Sequence, residues 1–84
     1  MADLLQLEIA TPERLIASAS VDYTEIPGKD GYLGILPGHA ALLSELGTGA
    51  LKYVSQGKTD TVTVSGGYVE VRDNHVRVLA DKVD

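Results

Sequence analysis

Few side chains in this sequence have the type and spacing that chemistry needs. The two histidines, His39 and His75, are far apart, and neither sits at a metal-binding spacing such as H-E-x-x-H. With no cysteine there is neither a thiolate site nor a disulfide framework. Asp30, Glu45, Asp60 and Glu70 fall at turns or at alternating outward positions, where a carboxylate is simply solvated. Ser18, Ser20, Ser44, Ser55 and Ser65 lack the G-x-S-x-G setting of a nucleophile elbow and have no evident base. Gly31-x-x-Gly34 and Gly47-x-Gly49 lack the Lys-Ser/Thr of a phosphate loop, and no helix is expected after them to hold an anion. The sequence reads as non-catalytic, with no catalytic residue, cofactor or metal site to assign.

Two residues keep two readings each. His39 either hydrogen-bonds a loop carbonyl beside Pro37-Gly38 or lies in a partner interface. Tyr32 is either an inward aromatic or an exposed anchor, because tyrosine joins a large apolar area to a polar tip.

Both residues sit in the stretch that constrains the backbone most, Gly31-Tyr-Leu-Gly-Ile-Leu-Pro-Gly-His-Ala40. Pro37-Gly38 predicts a type II turn, with proline presetting φ and glycine accepting the positive φ that follows. Gly31 and Gly34 beside apolar residues suggest a bulge or the close approach of another backbone. The stretch is a tight corner of a β domain, or else the site of a small β-sandwich ligand-binding module.

The rest of the chain must hold this corner. Leu5, Leu7 and Ile9 alternate with Gln6 and Glu8, the period of a half-buried strand, and Thr11-Pro12 ends it. Glu13 to Ala19 fits a short strand or one helical turn. Val21 to Ile26 reads as a strand ended by Pro27-Gly28, with either face able to be the buried one. Ala41 to Glu45 is a short strand, and Gly47-Thr48-Gly49 a flexible corner. Leu51–Val54 and Thr59–Val64 form a hairpin across Gln56-Gly57, with Val62 and Val64 on one face. Gly66-Gly67 is a bulge or strand switch. Tyr68–Arg72 and His75–Leu79 form the last hairpin, turned at Asp73-Asn74, with Val69, Val71, Val76 and Val78 inward. Turns recurring about every ten residues predict an all-β fold, a two-sheet antiparallel β sandwich of about ten short strands spanning residues 1–84 as one domain.

Composition narrows the function classes. Apolar residues make up 44% of the 84, ordinary for a chain with one core. Phe and Trp are absent, so Val, Leu, Ile and four Tyr must fill it. Net charge is −5, which argues against a nucleic-acid binder, whose affinity comes from Lys and Arg on phosphates. The start, Met-Ala-Asp-Leu-Leu-Gln, lacks the basic and apolar regions of a signal peptide, and apolar runs fall far short of the ~20 residues of a spanning helix. Direct membrane insertion is not expected.

Four ordered blocks resemble a known family. The run Gly31-x-Leu33-Gly34-Ile35-x-Pro37-Gly38-His39-Ala40 is similar to the signature loop of the ε subunit of F-type (proton-translocating) ATP synthases. Leu7-Glu8-Ile9-x-Thr11-Pro12-Glu13 resembles that family's opening strand and turn. Ser65-Gly66-Gly67-Tyr68-Val69-Glu70-Val71 and Val76-x-Val78-Leu79-Ala80-Asp81 resemble its closing hairpin. The resemblance implies a β sandwich at the foot of the central rotor stalk. There it would bind the γ subunit, rest on the c-subunit ring and act on the catalytic α/β head only indirectly. It implies a peripheral place on the cytoplasmic face of the energy-transducing membrane. Gly28, Lys29, Asp30, Gly31 and Tyr32 match the family's c-ring contact, and Thr11, His39 and Ser44 match positions facing γ. Many bacterial members carry an acidic residue where Tyr32 stands, leaving Lys29 and Asp30 to supply charge there. The family continues past the last block into a helical hairpin that carries inhibition of ATP hydrolysis and, in some members, a nucleotide site. This chain stops at Asp84, so neither property is assigned to it.

Overall fold

Alternation of apolar and polar residues decides which face of each strand is buried. A computed structural model describes residues 3–84; Met1 and Ala2, which open the stretch read for a leader, lie outside the described residues. Among the described residues eight strands form: β1 (Leu5–Ala10), β2 (Leu15–Val21), β3 (Tyr23–Gly28), β4 (Gly31–Ile35), β5 (Leu42–Glu45), β6 (Thr48–Ser55), β7 (Lys58–Arg72) and β8 (His75–Val83). No helix among the described residues is long and apolar enough to cross a membrane.

The strands make one hydrogen-bonded path, β2-β1-β8-β7-β6-β3-β4, with β5 beside β7. Every pairing is antiparallel except β1 with β8, which is parallel. The path folds into two facing layers because β7, fifteen residues long, serves both. Its first half pairs with β6, and its second half pairs with β5 in the same register. The expected count of about ten short strands falls to eight largely because this ribbon stays continuous through the fold.

The crease lies at Gly66-Gly67, the predicted strand switch. Both have positive φ, +66° and +112°. A side chain on Gly67 would run into the Leu79 carbonyl oxygen and lie 3.0 Å from Ala80 Cα, so only glycine fits. The β7–β8 register passes through the crease unshifted, so it is a bend and not a bulge. Across the ribbon, Gly66 N–H donates to Gly47 O at 3.2 Å and Leu46 N–H to Gly67 O at 2.9 Å. The flexible corner expected over Gly47-Thr48-Gly49 is shorter than that, since Thr48 and Gly49 already belong to β6.

Leu5, Leu7, Ile9, Val69, Val71, Val76 and Val78 line the core from one layer; Ile26, Ile35, Leu51 and Val64 line it from the other. The undecided face of Val21–Ile26 resolves at Asp22, a bend where the chain changes layers. Val21 then points inward from one layer, and Thr24 and Ile26 from the other. Thr24 is fully buried, and its hydroxyl donates to Lys52 O at 2.8 Å, removing the cost of an unpaired polar group. Glu13–Ala19, open to a strand or a helical turn, forms most of β2. Pro27-Gly28 does not end β3 but completes it; only the pairing with β6 stops earlier, at Glu25.

Candidate partner interface

The residues singled out from the sequence occupy three places. Lys29-Asp30 is the tip of the β3–β4 hairpin, with Gly28 paired to Gly31 and Pro27 to Tyr32. The ladder is regular, so the bulge expected near Gly31 or Gly34 is absent; Gly34 instead makes room for Tyr23 Oη, 3.2 Å from where a Cβ would sit. Lys29 is tied back to the body of the fold. Its Nζ lies 3.0 Å from Glu45 Oε2 and its N–H donates to Glu45 O at 3.1 Å. Asp30 is exposed and forms no ion pair among the described residues. Tyr32 is 59% exposed, with its hydroxyl 2.7 Å from where a Cβ on Gly49 would lie, which favours the outward reading.

His39 lies at another end. Leu36–His39 is the expected type II turn, with His39 N–H donating to Leu36 O at 3.1 Å and Gly38 at φ +86°. Gly38 N–H donates to Asn74 Oδ1 at 2.8 Å, and Gln6 N–H to Asn74 O at 2.8 Å. Asn74 thus ties this loop and β1 to the β7–β8 turn, beside His75. The His39 ring is exposed, with Nδ1 2.7 Å from Ala40 O. That supplies the loop-carbonyl contact and leaves the rest of the ring on the surface.

Thr11 borders a surface that the sequence did not reveal, whereas Ser44, paired with the buried Val69, lies on the opposite face of β5 from Leu43. On the outer face of the β5-β7-β8-β1-β2 layer, Tyr68 pairs with Leu79, Leu79 with Ala10, and Ala10 with Leu15. These four side chains form one apolar row across four strands; on β5 the residue opposite Tyr68 is Glu45, and Leu43, opposite Glu70, lies diagonally beside the row. Leu43 is 71%, Leu15 57%, Tyr68 54% and Leu79 51% exposed. Leu15 reaches the row through a bulge: Ile9 pairs with Ala17 but Ala10 with Leu15, so Ile16 is the extra residue. Leu43, Tyr68 and Leu79 line a cleft of about 370 Å³, and Thr11 and Pro12 meet Tyr68 and Leu79 in another of about 270 Å³. Beside the row runs a charged one in the same register, Glu70–Arg77–Glu8, with Arg77 Nε 3.4 Å from Glu8 Oε1.

These features suit a binding surface. No group of three or more potential metal ligands is present among the described residues. Five surface clefts of about 250–400 Å³ draw none of their lining from Gly31–Ala40, where a ligand-binding module would need its pocket.

Residues 4–84 match the family model of the ATP synthase Delta/Epsilon chain, beta-sandwich domain. The chain belongs to this family. It is 46% identical to the ATP synthase epsilon chain of Carboxydothermus hydrogenoformans over 84 residues, all of this chain and 63% of that protein. It is 51% identical to the ATP synthase epsilon chain of Solibacter usitatus over 81 residues, 96% of this chain and 60% of that protein. The chain therefore spans about three fifths of the length of these curated relatives. In fold it is similar to a chain in the Euglena gracilis mitochondrial ATP synthase structure of OSCP, F1 and c-ring. There the TM-score is 0.90 at 24% identity, over all of this chain and 54% of that one. A chain in the central stalk and c-ring of the Tetrahymena thermophila mitochondrial ATP synthase matches with TM-score 0.79 at 19% identity, over 99% of this chain and 67% of that one. In this delta/epsilon-type sandwich the apolar row, the hairpin tip and the His39 loop all carry solvent-exposed side chains.

Proposed function

We propose that this sandwich is the non-catalytic stalk-foot part of an F-type ATP synthase, linking the γ subunit to the c ring. One observation carries the reading: a register-aligned apolar row stands in solvent on a sheet whose other face packs into the core. Isolated exposed leucines are ordinary, but a contiguous row with a charged border is what a partner surface requires. The γ subunit covers this row, with Thr11 at one margin and Ser44 on the same β5 strand as Leu43; His39 marks a second contact. The hairpin Gly28–Tyr32 faces the polar loops of the c ring, where Asp30 and Tyr32 are the available side chains because Lys29 is already paired with Glu45. The domain is placed peripherally, on the cytoplasmic face of the energy-transducing membrane, and the chemistry of ATP synthesis or hydrolysis proceeds in the α/β head. A β7 ribbon shared by both layers suits such a spacer, since bending or shearing it would break the hydrogen bonds of several strands together.

An association measurement between the full chain and γ tests this. Leu79→Ser should weaken binding by about tenfold or more, as for a central interface residue, with the melting temperature nearly unchanged. Unchanged affinity would remove the row from the γ interface.

A further inference from the structure

Glu45 belongs to two surfaces at once. It pairs directly with Tyr68, so it borders the apolar row on the outer face. The same residue holds the hairpin, through the ion pair to Lys29 Nζ at 3.0 Å and through its carbonyl oxygen, which accepts from Lys29 N–H at 3.1 Å. The bridge between Gly28 and Leu46, and the 2.8 Å bond from Gly47 N–H to Pro27 O, fix the backbones on either side. The Lys29–Glu45 side-chain contact can change strength without any backbone movement.

We propose that Lys29 and Glu45 form a latch by which covering the apolar row stiffens the β3–β4 hairpin. This rests on the reading of that row as a partner site and goes beyond it by joining two separate surfaces. In the uncovered chain both partners are wet, with side chains 68% and 51% exposed, and a wet ion pair holds weakly. A partner seated against Tyr68 screens Glu45 from water on one side and strengthens the Coulomb attraction. The backbone bonds already fix the geometry, so little further ordering is required of the two side chains. The hairpin tip at Asp30 then loses mobility when the opposite surface is occupied. A stalk unit with this property becomes a stiff contact only after assembly.

Amide hydrogen exchange on the full chain, alone and with γ, tests the latch. In the parent, γ should slow exchange at Asp30–Tyr32 by about fivefold, a change of the size expected for a strengthened partly screened pair. Lys29→Met should lose that slowing and bind γ up to about fivefold more weakly, since the coupling is reciprocal; Glu45→Gln should do the same, and the exchange K29E with E45K should restore both. Full slowing in Lys29→Met would overturn the latch while leaving the γ reading intact. An absence of γ protection at Tyr68 and Leu79 in every variant would sink the docking reading and the latch with it.

Discussion

Val78 and Leu79 are neighbours on β8 with opposite fates. Val78 is fully buried among Leu7, Ile9 and the valines of β7, whereas Leu79, on the other side of the same strand, is half exposed in the apolar row. Folding removes the first from water and leaves the second there, although burying either would be worth about 1.5–3 kcal/mol. The contrast extends across the sheet, where Leu15, Leu43 and Tyr68 share the outer face with Leu79. The inner face accounts for stability; the outer face keeps apolar surface available for association.

The crease that sets these two faces apart gives the largest expected effect. Gly67→Val should cost more than about 3 kcal/mol in denaturant unfolding, since its side chain meets backbone and its φ is +112°. A variant as stable as the parent would show that the ribbon can bend elsewhere, and the separation of the faces would lose its cause. The neighbouring pair comes next. Val78→Ala should cost about 2 kcal/mol, the loss of two buried carbons plus a residual cavity. Leu79→Ala should cost no more than about 0.5 kcal/mol in the same assay. Equal costs would mean that the outer face is part of the folding core.

The inner face was legible from the sequence because its pattern is local. Period-two alternation picks out Leu5, Leu7 and Ile9, then Val69 with Val71 and Val76 with Val78, and all are buried. Turn chemistry was local too. Gln56-Gly57 and Asp73-Asn74 all take positive φ, as tight hairpin turns demand, and Gly38 accepts the positive φ after Pro37. The outer row was not legible, because positions 10, 15, 68 and 79 become neighbours only through pairing register, with Leu43 set diagonally beside Tyr68. Leu15 adds a second obstacle, since without the bulge at Ile16 the alternation of β2 would set a different residue opposite Ala10. The Lys29–Glu45 contact is hidden for the same reason, as it depends on how the β3–β4 hairpin lies against the end of β5. The four sequence blocks identified the family without disclosing which face of which strand would be left exposed.

The smallest expected effect separates the outer faces of the two layers. On β3, Tyr23 Oη donates to Glu25 Oε2 at 2.8 Å, so this tyrosine is engaged within its own layer, unlike Tyr68 in the apolar row. The bond to Glu25 raises the Tyr23 pKa above its ordinary 10.0, with burial and the Glu25 charge adding to it. Tyr53 is raised as well, by burial and by the charge of Asp60. A tyrosine whose folded pKa lies above its unfolded one contributes stability that is complete below pH 10.0 and is lost as pH rises through the folded value. Melting temperature should therefore fall with alkaline pH beginning near 10, and Tyr23→Phe should flatten part of that fall while Tyr53 retains the rest. Identical alkaline curves for Tyr23→Phe and the parent would show that the hydroxyl is not committed to Glu25, and the outer faces of the two layers would be more alike than their contacts indicate.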